Sequence, residues 1–242
     1  MMTDTEGHEI GLPLPDNVRA YQLSGQAHAA GNGTPSVTAV ATCKLASNPL
    51  DDSAVDRALV VAMDEWVTKG ATPPASEYPS LAAKTLQTVE EEAAIWPAIP
   101  GFPFNPRIAT AQVGNYGTAP PTYEAAYPIY VPKIDPVTGN PEGGVMGPDL
   151  AAPLGTYMGR NFRAPGHAED ELCAGNSGFI PFAATKAARL ASGDSRPSLE
   201  ELYPRGAVDF YAKRRAQVQA LIAKRLALPS ELDSWTTEVK FR

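Results

Sequence analysis

Proline constrains this chain more than any other residue type. It fills 24 of the 242 positions, and most of the 24 lie between residues 73 and 165, about twice the usual share of roughly 5%. Each proline fixes φ and removes an amide donor, so that region is predicted to consist of short elements and long irregular loops over a packed scaffold. An apolar content of 43% against 19% charged residues excludes a disordered chain. The length suffices to bury a sizeable core. A net charge of −7 with three scattered histidines leaves no electrostatic footprint for nucleic acid. The polar start MMTDTEGHEIG and the absence of any run of 18 apolar residues predict a soluble, unexported, cytoplasmic chain as written, with no membrane partner.

Ahead of the proline-rich region stands VRAYQLSGQAHAAG, residues 18–31. Val18 to Leu23 alternates apolar and polar residues and reads as a short strand that Ser24-Gly25 interrupts. Three residues on, His28 occupies a loop of small residues that leaves an imidazole clear of bulky neighbours. A helix is predicted from Ser53, with a capping box between Ser53 and Asp56 and an apolar face of Val55, Leu59, Ala62, Met63, Trp66 and Val67. Lys69 and Gly70 suit its C-terminus, and Pro73-Pro74 prevents continuation. A histidine on a loop between strand and helix is the placement of the general base and acid in serine ester hydrolysis; a bystander histidine is the plainer alternative.

Downstream, TVEEEAAIWPAIP reads as a charged turn followed by Trp96, a core or subsite aromatic. Tyr127–Lys133 is an edge strand because of its prolines. Thr138-Gly139-Asn140 with Gly143-Gly144 suggests a hairpin, preferred over calcium ligation by Asp135 and Asn140. Thr156–Arg163 is a further strand. A short helix ends at Gly193, a capped turn starts at Ser198, and an amphipathic helix runs from Arg205 to Leu228, with Tyr211, Val218, Leu221, Ile222 and Arg225 on one face. Its AKRRAQVQALIAKR run reads as a solvated face. Asn32-Gly33-Thr34 reads as a turn rather than a glycosylation site.

The rest of a catalytic set is missing from the sequence. No Gly-x-Ser-x-Gly occurs, and Gly175-Asn176-Ser177-Gly178-Phe179 fails the pattern at its last position. Ser24 is the only serine before His28, and Asp4, Glu6 and Asp16 lie in a short polar segment. His8, His28 and His167 show no metal-ligand spacing with Cys43 and Cys173, and no phosphate-binding glycine loop is present, so no metal or cofactor is expected. The two cysteines form a disulfide or a free buried pair.

Three stretches carry a resemblance: LPLPDNVRAYQLSGQAH, NPLDDSAVDRALVVAMDEWVTKGATPPASEYP and GFIPFAATKAARLASGDSRPSLEELYPRGAVDFYAKR. Together they resemble the C-terminal portion of the large bacterial α/β-hydrolase-domain family from about Asp4 to Leu228, and WVTKGATPP also resembles tannases and feruloyl esterases. Relatives read small-Gly-Thr-Gln-His where this chain has Ser24-Gly25-Gln26-Ala27-His28. The resemblance implies an α/β to α+β fold. Residues 1–75 would be the terminal strand, histidine loop and helix of a hydrolase domain, and residues 76–242 a proline-rich extension with short strands and C-terminal helices packed on it. It further implies that His28 is the one member of a serine-hydrolase triad in this chain. The nucleophile and acid would come from an upstream segment or a partner chain, the substrate would be a small-molecule ester, and the chain alone would be inactive. A homo-oligomer is the other partner expected. A non-catalytic binding or scaffold remnant of a hydrolase is the alternative.

Overall fold

The computed structural model describes residues 3–10, 14–26, 28, 31–36, 38–39, 42–173, 175 and 177–241. Its most regular early element is α1 (Ser53–Lys69), which ends as the sequence predicts: Gly70 adopts φ 67°, and the amides of Gly70 and Ala71 bond back to Trp66 O and Glu65 O. This left-handed ending satisfies the last carbonyls of the helix. Its start differs from expectation. Asp52 is the N-cap without a side-chain cap, and Asp51 Oδ1 accepts the Ser53 amide instead of a Ser53–Asp56 box forming. The buried face also differs, because Ala54, Val55, Ala58 and Ala62 turn inward while Met63 and Val67 are 56% and 77% exposed. Alanines at a spacing of four form a narrow stripe that admits close neighbours, so the bulky residues are left outside.

The β structure is small and antiparallel. β1 (Ala46–Ser47), β7 (Gly178–Pro181) and β6 (Gly155–Met158) form a three-stranded sheet in the order β1-β7-β6, with Ala46 opposite Phe179 and Tyr157 opposite Phe179. β2 (Leu86–Thr88) pairs with β5 (Tyr130–Pro132), and β3 (Gln112–Asn115) with β4 (Thr122–Ala126). Short two-stranded ribbons are what the proline density allows. Between β2 and β5 lies α2 (Val89–Ile95), where a charged turn was expected; a capping box between Thr88 and Glu91 starts it. The Asp135–Asn140 turn closes through Asp135 N–H to Asn140 O, and the Asp135 carboxylate accepts from the Val137 amide and the Thr138 hydroxyl.

The expected strand at Val18–Leu23 does not form as a ladder. Instead the extended chain makes two isolated parallel bridges, Tyr21 with Glu77 and Leu23 with Val145. Gly144, at φ +71°, permits the second; a Cβ there would lie 2.5 Å from the Gln22 carbonyl oxygen. All four bonds use one edge of the segment: Ala20 O, Gln22 N and O, and Ser24 N. Among the described residues, the N–H and C=O groups of Tyr21 and Leu23 on the other edge carry no backbone bond.

α3 (Pro148–Ala151) precedes β6, and the C-terminal third is helical: α4 (Lys186–Ser192), α5 (Leu199–Leu202), α6 (Ala207–Ala223) and α7 (Glu231–Thr237). α4 ends at Gly193 and α5 begins with the Ser198–Glu201 capping box, both as predicted. The long helix is shorter than expected. It stops at Ala223, and Arg225 takes φ 61°. Its buried positions are Phe210, Arg214, Val218 and Leu221, so Arg214 corrects the reading of the basic run as wholly solvated. Val218 and Leu221 pack with Ala54 and Val55 of α1, Val145 and Trp235 of α7. A second cluster joins Leu50, Leu150, Tyr157 and Phe179. Cys43 and Cys173 form a disulfide with a Cα–Cα distance of 5.8 Å. The architecture is mixed α+β, and no helix is long and apolar enough to cross a membrane among the described residues.

Candidate functional site

Where the extended segment ends, the chain borders a cavity of about 520 Å³, within the range of small-molecule sites. Gln22, Leu23, Gly25 and Gln26 form one wall; Val131, Pro132 and Ile134 after β5, the end of β6 with Arg160, and Trp96 after α2 form the others. Asn48, 4% exposed, fixes this junction. Its Nδ2 donates to Gly25 O at 2.7 Å and Met158 O at 3.3 Å, tying the start of the histidine loop to the end of β6. Asn161 does the same for the opposite side, donating to Leu45 O and Ser177 O and accepting from the Leu45 and Phe162 amides. With its amide oriented to satisfy both neighbours, Gln26 donates to Leu50 O and accepts from the Asp52 amide, binding the loop to the start of α1.

His28 follows two residues after Gln26 and is exposed. Ala27, Ala29 and Ala30 lie outside the described residues. Of the other titratable candidates, His167 is exposed on a turn closed by its amide to Ala164 O. Asp4, Glu6 and His8 converge within 4.8 Å, but they are not deeply buried and the Asp4 carboxylate already accepts the amides of its own turn. Ser24 and Ser177 are buried, at 4% and 3% exposure. The Gly175–Phe179 stretch leads into β7 rather than a helix, and its Asn176 lies outside the described residues. No serine lines the cavity among the described residues.

Two charged residues that sequence reasoning missed do line it. Arg160 Nη2 donates to Glu92 Oε2 at 2.9 Å, with the side chains 17% and 7% exposed; the guanidinium also lies over the Phe104 ring. Glu92 comes from the buried side of α2 and Arg160 from the residues after β6, 68 positions apart. The only available signal was that a charged run held a helix with one inward carboxylate. Trp96 and Tyr157 border the cavity, whereas Tyr116 and Tyr123 are 75% and 62% exposed on the β3–β4 ribbon. Burial holds the Tyr157 hydroxyl far above the ordinary tyrosine range, with Asp149 adding to the effect, so it remains neutral.

Comparison with curated proteins found no similar sequence, and comparison with solved structures found no similar fold. A family model described as an alpha/beta hydrolase domain matches residues 2–236. That match takes in the extended segment, the His28 loop, the cavity walls and every helix but the last residue of α7, and the chain therefore belongs to the α/β-hydrolase domain family.

Proposed function

We propose that this chain is the histidine-bearing, C-terminal part of a bacterial serine hydrolase of esters or related acyl compounds. His28 serves as general base and acid toward a serine supplied from an upstream segment or a partner chain. One observation carries the reading: Gln26 lines the cavity, and His28, two residues further along the chain, is exposed. A base must come within hydrogen-bond reach of a nucleophile over a bound substrate. The free edge at Tyr21 and Leu23 supports the second half of the proposal. Extended backbone with one edge paired and the other open accepts a further strand, and a strand there would arrive beside the His28 loop. The disulfide favours an oxidising compartment over the cytoplasm expected from the polar N-terminus.

The test is fluorophosphonate labelling and p-nitrophenyl ester turnover of this chain, alone and joined to the coding region upstream of Met1. The expected result is no labelling alone and labelling with turnover in the longer protein. His28→Ala should then lower turnover by about 10²- to 10⁴-fold, the usual contribution of general acid–base catalysis. Turnover indifferent to His28→Ala defeats the assignment. The second reading, a binding module without chemistry, is favoured by the absence of any serine from the cavity wall among the described residues. It predicts no labelling in either form.

A further inference from the structure

We propose that the cavity takes a neutral, largely apolar small molecule that presents one hydrogen-bond acceptor, a carbonyl oxygen, to Arg160. The inference rests on the acyl-ester reading above and narrows its substrate class.

Charge is the first argument. Glu92 and Arg160 are the only charged residues lining the cavity among the described residues, and they neutralise one another at 2.9 Å. A charged ligand entering there loses hydration and finds no unmatched countercharge, which disfavours it. The rest of the wall, including Trp96, Val131, Ile134 and Met158, is predominantly apolar.

Donor accounting is the second. A guanidinium carries five N–H donors, yet among the described residues Arg160 makes a single hydrogen bond, from Nη2 to Glu92. Its Nε is enclosed by protein, whereas Nη1 makes no hydrogen bond among these residues and stays open to solvent. The guanidinium therefore brings to the cavity wall donors that no protein acceptor takes up among the described residues. A ligand that covers these donors shuts them off from water, which is costly unless it supplies an acceptor, and a carbonyl oxygen does so where a hydrocarbon does not.

The experiment compares three probes of similar size by ligand-observed NMR titration of the purified chain: butyrophenone, butylbenzene and 4-phenylbutanoate. Butyrophenone should bind about tenfold more tightly than butylbenzene, the scale of one hydrogen bond from a charged donor, and more tightly than the carboxylate. Arg160→Lys retains a cation for Glu92 and removes the planar fork. It should abolish the ketone's advantage while leaving butylbenzene within about twofold, since the hydrocarbon makes no such bond. Ala109→Trp, at an exposed position of the cavity wall, should weaken all three probes. Equal binding of ketone and hydrocarbon, a preference for the carboxylate, or binding unaffected by Ala109→Trp overturns the proposal. These affinities are read without turnover and should be unchanged in His28→Ala, so a failure of the hydrolase reading leaves this result standing, and the reverse also holds.

Discussion

Arg214 Nη1 donates to Asp149 Oδ1 at 2.7 Å with the arginine side chain wholly buried and the aspartate 10% exposed. The other two guanidinium nitrogens are also bonded: Nε donates to Thr236 O and Nη2 to Trp235 O. One side chain from the middle of α6 thus holds α3 through a carboxylate and the end of α7 through two carbonyls. A cation can be kept in such a place because it is paired with a carboxylate and each of its three nitrogens makes a hydrogen bond.

Removing either partner should be severe. Arg214→Ala leaves the Asp149 carboxylate buried without its cation, and Asp149→Ala leaves the converse, each costing about 3–5 kcal/mol. Urea unfolding followed by far-ultraviolet circular dichroism measures the loss. Replacement of both residues together should cost less than the sum of the single losses, because no charge is then stranded.

The disulfide joins positions 130 apart, Cys43 and Cys173. Closing a loop of that length restricts the unfolded chain by about 5 kcal/mol in the chain-entropy account. Cys43→Ser with Cys173→Ser, or reduction of the native protein, should therefore lower stability by about 2–5 kcal/mol. Comparing denaturation midpoints with and without reductant checks it. An unchanged midpoint would mean that the thiols are not bridged in solution.

How far the sequence could be read depended on whether the deciding contact was local. The end of α1 at Gly70 and the capping box at Ser198 are set within a few residues, and both form as predicted. The inward face of α1 depends on α6 and α7, far along the chain, and side-chain size misled: alanines pack inward while Met63 and Val67 face water. Val18–Leu23 is extended as its alternation implied, but its partners, Glu77 and Val145, belong to no strand, so no periodicity marked them. The site was legible only in part. Gln26, two residues before His28, lines the cavity, whereas the Glu92–Arg160 pair joins two charged stretches that only the fold brings together.

Gln26 offers a local check on the loop itself. Its amide spans Leu50 O and the Asp52 amide, so Gln26→Ala frees both and should cost about 1 kcal/mol, the net value of a typical bond with the loss shared by water. Hydrogen exchange at the Asp52 amide should accelerate in the variant. Unaltered exchange there would show that Gln26 does not hold the loop to α1.

The C-terminal segment carries a pH dependence. Burial pushes the Glu238 carboxyl up to about 7, with the neighbouring Asp149 and Asp51 adding to the shift, a hydrogen bond shared with Asp51 adding further, and Arg214 opposing it. The folded chain then keeps this proton to about pH 7, while the unfolded chain releases it near the ordinary value of 4.5. Between those two values the folded state binds more protons, so stability is full below pH 4.5, falls as pH rises through 7, and is level above. Glu238 as a residue remains exposed, and solvent screening holds the change to about 1 kcal/mol. Glu201, by contrast, is held down to about 2 by the Ser198 amide and hydroxyl and by Arg189, so its contribution is lost only below the window in which Glu238 acts. Urea midpoints recorded from pH 4.5 to 8 should decline in the native chain. In Glu238→Gln, which is neutral throughout, the decline attributable to this carboxyl should disappear, and a profile identical to the native one would show that Glu238 titrates normally.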